Sequence, residues 1–137
     1  MIEVHVVTDK QRTEDIMHTC GFAADSIVLA ASENGDEVGF VALRMRYCPE
    51  EAAVDINGMF CPDADFGEML VRAAVSYGER RGAEIAYAVP DAYGAADGSD
   101  CRYTAMLRAG LRLNDGVMSV PVGNVVHICK NCADQPK

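Results

Sequence analysis

The sequence predicts an α+β fold in which a mixed, mostly antiparallel central sheet carries helices on both faces. Three observations support this prediction. Residues 54–90 read as strand, loop, amphipathic helix and strand, which is the pattern of a crossover connection. Two apolar runs flank Asn34-Gly35, the dipeptide most typical of a tight hairpin. Short strand-like segments follow residue 110. Together, these observations fit a layered sheet that contains one crossover connection.

The first 60 residues are predicted to form four strands and one helix. The strands are expected at 2–7, 26–32, 38–45 and 53–60. Thr8 and Gln11 have the spacing of a capping box for the helix after the first strand, and Gly21 is placed to end that helix. Gly58, inside the fourth strand, indicates a bulge or a close approach of the backbone to a neighbour or a ligand.

The helix predicted at about 65–81 is the clearest element of the chain. Its apolar residues recur at helical spacing and form one stripe, made of Phe66, Met69, Leu70, Ala73, Ala74 and Tyr77. Acidic residues lie at its start, while Arg80 and Arg81 lie at its end and Gly82 follows them, so the helix dipole and the capping pattern agree.

The last third of the chain is predicted to close the sheet. We expect a strand at 85–89, a Gly- and Asp-rich loop at 91–100, a helix at 101–110, and strands at 111–113, 117–122 and 125–129. No internal repeat or linker divides the chain. The prediction is therefore one domain at 1–132, followed by a polar tail at 133–137.

Charge and composition disfavour two classes of partner. The 137 residues carry a formal net charge of −9, so no basic field attracts nucleic acid or an anionic membrane surface. No stretch approaches the roughly 20 apolar residues of a membrane span, and the N-terminus lacks the basic start and apolar run of a signal peptide. We expect a cytoplasmic protein whose six cysteines are reduced thiols.

Four segments, taken in order, carry a resemblance to a known family. They are NGDEVGFVAL at 34–43, FCPD at 60–63, ERRGAEIAYAV at 79–89 and MLRAGLRL at 106–113. Through them nearly the whole chain resembles the GNAT superfamily of N-acetyltransferases, which take an acyl group from acetyl-CoA. The resemblance implies an acyl-CoA-dependent N-acyltransferase, with a small-molecule amine or a basic peptide as acceptor.

The resemblance also implies where acetyl-CoA would bind. In the family the fourth strand splays from the fifth, and its exposed backbone N–H groups hold the pantetheine arm and the thioester carbonyl. The residues that match this backbone are Gly58, Met59, Phe60 and Cys61. The family's next loop, Gln/Arg-x-x-Gly-x-Gly/Ala, holds the pyrophosphate, and Phe66 and Gly67 lie in register with its last part.

This chain departs from the family at that loop. About three residues are missing between Pro62 and Leu70, and the loop carries Asp63, Asp65 and Glu68 without Lys or Arg. A helix N-terminus attracts anions, but carboxylates beside it repel a pyrophosphate. The cluster of acids is explained most simply as a bias of the helix start.

Amine acetylation also needs a base and, in many family members, a Tyr that protonates the departing thiolate. The candidate bases are Asp55 and Glu84, which lie on the strands expected to flank the splay. The family's Tyr precedes the Gly of the helix-to-strand step by four residues. That position is Met106, so Tyr103 is a candidate acid only if the register shifts. The simpler interpretations are a solvent-facing Asp55 and a packing role for Tyr103.

Two functions therefore remain open at this stage. The first is the N-acyltransferase, and the alternative is a GNAT-fold binding or interaction protein without acetyl-CoA turnover. A homodimer through the closing strands is possible, since an exposed sheet edge invites pairing.

A short motif near the C-terminus raises the question of a metal. His127, Cys129 and Cys132 form H-x-C-x-x-C, but one C-x-x-C is a weak signal because structural zinc needs four ligands. We expect no metal there, and a redox pair has less support still.

Overall fold

One seven-stranded sheet organises the computed structural model, which describes residues 2–96 and 99–125. The strands are β1 (Ile2–Val6), β2 (Ile27–Glu33), β3 (Asp36–Cys48), β4 (Glu51–Phe60), β5 (Ile85–Ala88), β6 (Arg112–Asn114) and β7 (Val117–Pro121). The helices are α1 (Lys10–Cys20), α2 (Ala64–Glu79), α3 (Pro90–Tyr93) and α4 (Cys101–Ala109), and residues 122–125 are also helical.

The sheet is mixed in the way the sequence predicts. Its strand order is β1-β2-β3-β4-β5-β7-β6, and each neighbouring pair is antiparallel except β4 and β5, which are parallel. Parallel strands need a crossover connection, and α2 supplies it. The predicted α+β class is confirmed.

Helices cover both faces of the sheet. The larger core lies under α2 and α4, where Leu70 and Met106 are fully buried against Leu43 and Ile56 of the sheet. On the other face Ile16 of α1 packs with Val28 and its neighbours in a smaller cluster. Because α1 is the one helix on this face among residues 2–96 and 99–125, most of their buried apolar side chains lie on the α2/α4 side.

Two local predictions in the front half of the sheet are confirmed. Asn34 and Gly35 have φ values of 54° and 91°, so both lie in the left-handed region that a type I′ hairpin turn requires. The register shifts once between β3 and β4: Ala42 pairs with Gly58, while Leu43 pairs with Ile56. Asn57 is therefore the extra residue of a β-bulge beside Gly58.

The cap of α1 differs from the prediction. Asp9 is the N-cap, and its side chain accepts a hydrogen bond from the Arg12 backbone N–H at 3.1 Å. The predicted capping box of Thr8 and Gln11 is wrong, because Asp is a stronger N-cap than Thr and lies one residue later. Gly21 ends α1 with a φ of 72°, as predicted.

Two predictions after β5 also need correction. The segment predicted as a loop at 91–100 begins within α3, because Pro90 presets the backbone of a first helical turn. The strand predicted at 125–129 is wrong at Val125, which belongs to the helical residues and is buried in the main core. The rest of that segment, the H-x-C-x-x-C motif and the predicted tail lie outside the described residues.

Among the described residues, none of the helices combines the length and the apolar character needed to cross a membrane.

Candidate functional site

The parallel strands β4 and β5 pair over only part of β4. They pair from Ala53 opposite Ile85 to Ile56 opposite Ala88. Beyond that point β4 continues to Phe60, whereas the chain leaves β5 and enters α3 at Pro90. We call the gap beside residues 57–60 the split. Backbone N–H and C=O groups alternate between the two edges of a strand, so about half of those in 57–60 face the split. The split therefore arises because β5 ends four residues before β4 does, with all of β5 paired to β4, and it begins at the bulge.

Two adjoining clefts open onto the split from the side of α1. The first, of about 470 Å³, has Met59, Phe60 and Cys61 on one wall and Asp100, Cys101 and Arg102 on the other. The second, of about 480 Å³, is lined by Asn57, Gly58, Phe22 and Arg102, among others. Met59 and Arg102 line both clefts, so the two form one groove along the end of β4.

In the second cleft, the Phe22 ring covers the backbone of Gly58, and the side-chain amide of Asn57 is a buried hydrogen-bond donor. The ring of Phe22 lies so close to Gly58 that a Cβ there would come within 2.6 Å of the Phe22 Cδ1 atom. Only glycine fits beneath this ring without movement. The Asn57 Nδ2 atom is buried and has no hydrogen-bond partner within the part of the chain that the structure describes. An unpaired buried donor is costly and calls for an acceptor.

Arg102 is held at the junction of the two clefts. Its guanidinium donates to both carboxylate oxygens of Asp100, with Nε–Oδ1 and Nη2–Oδ2 distances of 3.0 and 2.7 Å, and to the Asp91 carbonyl at 3.1 Å. These hydrogen bonds lower the pKa of Asp100 and raise the pKa of Arg102. The Asp100 carboxylate also accepts from the Arg102 backbone N–H and so caps α4.

Comparison with solved structures identifies the fold that carries these clefts. No family model matches the chain, and no curated protein matches it in sequence. Solved structures do match. A Desulfovibrio desulfuricans protein assigned to the GNAT acetyltransferase family superposes with a TM-score of 0.63 at 14% identity, over 89% of this chain and 99% of that one.

Two further structures agree. The ribosomal-protein-S18-alanine N-acetyltransferase of Escherichia coli gives a TM-score of 0.60 at 10% identity, over 89% of this chain and 94% of the other. A Bacillus subtilis acetyltransferase in complex with CoA gives 0.60 at 12% identity, over 88% and 99%.

The chain has the GNAT N-acetyltransferase fold. At these identities the likeness establishes the architecture, and the chemistry must be argued from the residues of this chain.

The turn that would hold a pyrophosphate in a GNAT enzyme is helical here. α2 begins at Ala64, three residues before Gly67. The side chain of Asp63 accepts from the Phe66 N–H at 2.9 Å, and its carbonyl accepts from the Gly67 N–H at 3.0 Å. Anion binding at a helix start depends on free N–H groups, and these two are already bonded within the protein.

The contacts between α2 and α4 close the same region. A Cβ on Gly67 would lie 2.7 Å from the Cβ of Ala105 and 3.0 Å from the Sγ of Cys61. The exposed carboxylate of Asp65 pairs with Arg108 at 2.7 Å, which joins the two helices. With bonded amides, carboxylates and close helix packing in place, these residues do not fit the pyrophosphate of CoA.

Asp55, one of the two candidate bases, lies beside the split but is engaged by a cation. It pairs with Tyr87 one position before the strands separate. Both of its carboxylate oxygens accept from Arg46, with Nε–Oδ2 and Nη2–Oδ1 distances of 2.8 and 3.0 Å. These hydrogen bonds raise the pKa of Arg46. The same guanidinium lies 5.2 Å from the centre of the Tyr87 ring, so Asp55 belongs to a packed polar cluster.

The other two candidates contact groups elsewhere in the fold. Glu84 precedes β5 and accepts from the Ala52 N–H at 3.5 Å, four residues before Ala88, which is about 13 Å along a strand. The ring of Tyr103 packs against Tyr93 with centroids 5.8 Å apart, at the edge of the main core. Met106, at the family's Tyr position, is fully buried. The structure therefore gathers Asp55 and the Gly58–Cys61 backbone at the split, without Glu84.

Sequence reasoning missed three residues that shape the groove. Phe22, Asn57 and Arg102 come from three separate elements, and none is part of a motif. Arg102 had a weak signal, because Asp100 has the character of an N-cap and precedes it by two residues. Nothing local indicated that Phe22 would reach Gly58, 36 positions later in the sequence.

Proposed function

We propose that this protein is a GNAT-fold binding module that receives an extended, amide-bearing guest in the split and does not turn over acetyl-CoA. The observation that carries the proposal is the first turn of α2, where Asp63 occupies the amides of Phe66 and Gly67. With these two amides bonded and the carboxylates of Asp63 and Asp65 beside them, the turn is a poor anchor for the charged end of CoA.

The chemistry of the guest follows from the groups at the split. Among the described strands, none pairs with β4 at 57–60 on the side of β5, so this edge offers alternating main-chain donors and acceptors, which suit another extended chain. The buried Asn57 Nδ2 adds a donor that lacks a partner among the described residues. Carbonyl oxygens spaced along a flexible chain, as in a pantetheine arm or a short peptide, match both features.

A second candidate is an acyl-CoA-dependent N-acyltransferase acting on a small amine or a basic peptide. The retained bulge at Gly58 and the separation of β4 from β5 favour it, as does the CoA-bound Bacillus subtilis neighbour. It requires Asp55 to exchange its Arg46 partner for a substrate ammonium. It also requires CoA to bind without the usual phosphate contacts, so we rank it second.

The test compares three probes by thermal unfolding. S-methylpantetheine carries the amides alone, adenosine 3′,5′-bisphosphate carries phosphates alone, and acetyl-CoA carries both. We expect the pantetheine probe to stabilise the protein, by about 2.7 kcal/mol at 100 times its dissociation constant. Acetyl-CoA should do no better, and the bisphosphate should have no effect. Asn57→Ala should weaken the response, while Asn114→Ala, the same substitution at an exposed position of β6, serves as the matched control.

Two outcomes would contradict the proposal. Stronger stabilisation by acetyl-CoA than by S-methylpantetheine, together with release of free CoA thiol in the presence of amines, would establish the enzyme. If millimolar S-methylpantetheine does not stabilise the protein, an amide-bearing guest is ruled out.

A gain-of-function variant sharpens the comparison. Inserting three glycines after Pro62 and replacing Asp63 and Asp65 by Asn restores the family's loop length and removes two carboxylates. We expect this variant to respond to acetyl-CoA more strongly than the parent does, because a longer loop without the two carboxylates no longer repels the pyrophosphate. An insertion of three serines after Gly35, in the exposed β2–β3 turn, controls for the added length.

A further inference from the structure

Two thiols on opposite walls of the first cleft lie against each other. Cys61 directly follows β4, and Cys101 is the first residue of α4. Their Sγ atoms are 3.7 Å apart, although 40 positions separate them in the chain. The Cys101 Sγ is also 3.8 Å from the Cys61 carbonyl oxygen. Since a disulfide joins sulfurs at about 2.0 Å, the two atoms need to approach by about 1.7 Å.

The surroundings distinguish the two thiols. Burial, and then the hydrogen bond with Cys101, raise the pKa of Cys61 to about 12. Cys61 therefore keeps its proton at neutral pH. Both side chains are only partly buried and line an open cleft, so a small reagent can reach them.

We propose that Cys61 and Cys101 form a reversible dithiol–disulfide pair that pins the start of α4 to the end of β4 and so restricts entry to the split. The co-reactant is a low-molecular-weight disulfide of the glutathione class. The effect on guest binding rests on the proposed function, whereas formation of the bond does not.

The chemistry is two successive thiol–disulfide exchanges. The Cys101 thiolate attacks one sulfur of the small disulfide, a mixed disulfide forms, and one small thiolate leaves. Cys61 then loses its proton to solvent, and its thiolate attacks the Cys101 Sγ. The Cys61–Cys101 bond forms as the second small thiolate leaves. The two protein thiols are oxidised, the small disulfide is reduced to two thiols, and their protons balance.

The Cys61–Cys101 bond would restrict the first cleft because it joins the two walls of that cleft. Met59 and Phe60 on one wall of the first cleft face Asp100 and Arg102 on the other. A covalent link between the neighbouring Cys61 and Cys101 ties these two walls at one end. A guest that needs α4 to move away from β4 is then excluded.

The bond is tested on the full chain in mixtures of oxidised and reduced glutathione. Peptide mapping without reduction should find a Cys61–Cys101 cross-link with the loss of two hydrogens. The oxidised protein should unfold at a temperature roughly 10 °C higher, since the bond closes a long loop. Both signals should vanish in Cys61→Ser and in Cys101→Ser, and both should survive in Cys48→Ser, which alters an exposed thiol.

A map in which Cys61 and Cys101 stay reduced, or pair only with other cysteines, would overturn the proposal. Guest control has its own readout. Affinity for S-methylpantetheine, a thioether that cannot exchange, should fall at least tenfold on oxidation of the parent and stay unchanged in Cys101→Ser. An unchanged affinity despite a mapped cross-link would overturn the pinning. If S-methylpantetheine binds in neither redox state, the result counts against the proposed function. The peptide map would still show whether the Cys61–Cys101 disulfide forms.

Discussion

The ring of Phe22 lies over the backbone of Gly58, at the point where β4 departs from β5. The contact joins the loop after α1 to the bulge of β4, and it covers main-chain groups that the rest of the sheet leaves unpaired. Phe22 itself is half-buried. This ring is therefore the part of the groove that must move if a guest is to reach Gly58.

Gly58→Ala is expected to destabilise the protein by about 1–3 kcal/mol, because the new methyl group overlaps the Phe22 ring. In a Phe22→Ala background the same substitution should cost less, by about 1 kcal/mol or more. Urea unfolding of the four proteins in this cycle measures the difference. Additive losses would show that the ring moves aside freely.

Gly67→Ala should also destabilise, by about 1–3 kcal/mol. Alanine is a better helix former than glycine by about 1 kcal/mol, so a net loss reports crowding between α2 and α4. The partner atom is the Ala105 Cβ, 2.7 Å from the added group. Combining Gly67→Ala with Ala105→Gly moves the methyl group from one helix to the other and should recover stability relative to Gly67→Ala alone. A double variant less stable than Gly67→Ala would contradict this explanation.

Asp100→Asn should reveal a pH-dependent contribution of the Asp100–Arg102 pair. Hydrogen bonds from Arg102 lower the pKa of Asp100 in the folded state. The stabilisation is thus complete above the unfolded-state pKa of about 3.9 and is lost as pH falls through the lower, folded value. Asparagine still caps α4. The difference in melting temperature should be constant between about pH 5 and 7 and shrink below about pH 4. A difference that persists unchanged to pH 2 would point to a cause other than charge.

Asp63→Ala should lower stability by about 1 kcal/mol, because the side chain caps α2 through the Phe66 N–H. Asp63→Asn keeps an acceptor and should lose much less. Thermal unfolding followed by circular dichroism compares the two variants. Equal losses would mean that the negative charge at the helix start, and not the capping hydrogen bond, accounts for the effect of Asp63.

The sequence predicted those parts of the fold that short-range patterns determine. The Asn34-Gly35 turn and the Gly58 bulge each follow from a few neighbouring residues, and the structure contains both. The predicted α2 stripe is confirmed only in part: Leu70, Ala74 and Tyr77 are buried, whereas Phe66, Met69 and Ala73 are half-buried. Val71 and Val75, which lay outside the predicted stripe, are fully buried because α2 packs against both the sheet and α4. The capping of α1 was missed because two candidate caps are adjacent, and their hydrogen bonds decide between them.

The site was less predictable, because its contacts join distant residues. The bidentate bond from Arg46 to Asp55 depends on the register of β3 against β4, which the bulge shifts by one residue. The approach of Cys101 to Cys61 depends on how α4 packs beside α2. Neither contact can be predicted from a short stretch of sequence. Each one changes the chemistry available to a predicted site residue, Asp55 in the first case and Cys61 in the second.

In the part of the chain that the structure describes, the two parts of the sheet are connected by four residue pairs between β4 and β5 and by the adjacent hydrogen bond from the Glu84 N–H to the Ala52 carbonyl. Amide hydrogen exchange senses such a narrow connection, since segments linked by few bonds open as separate cooperative units. We expect β5, β6 and β7 to exchange together, earlier than β2 and β3 at the centre of the long antiparallel front. The groove would then lie on the boundary between two units of different local stability, where a bound molecule slows exchange on both sides at once.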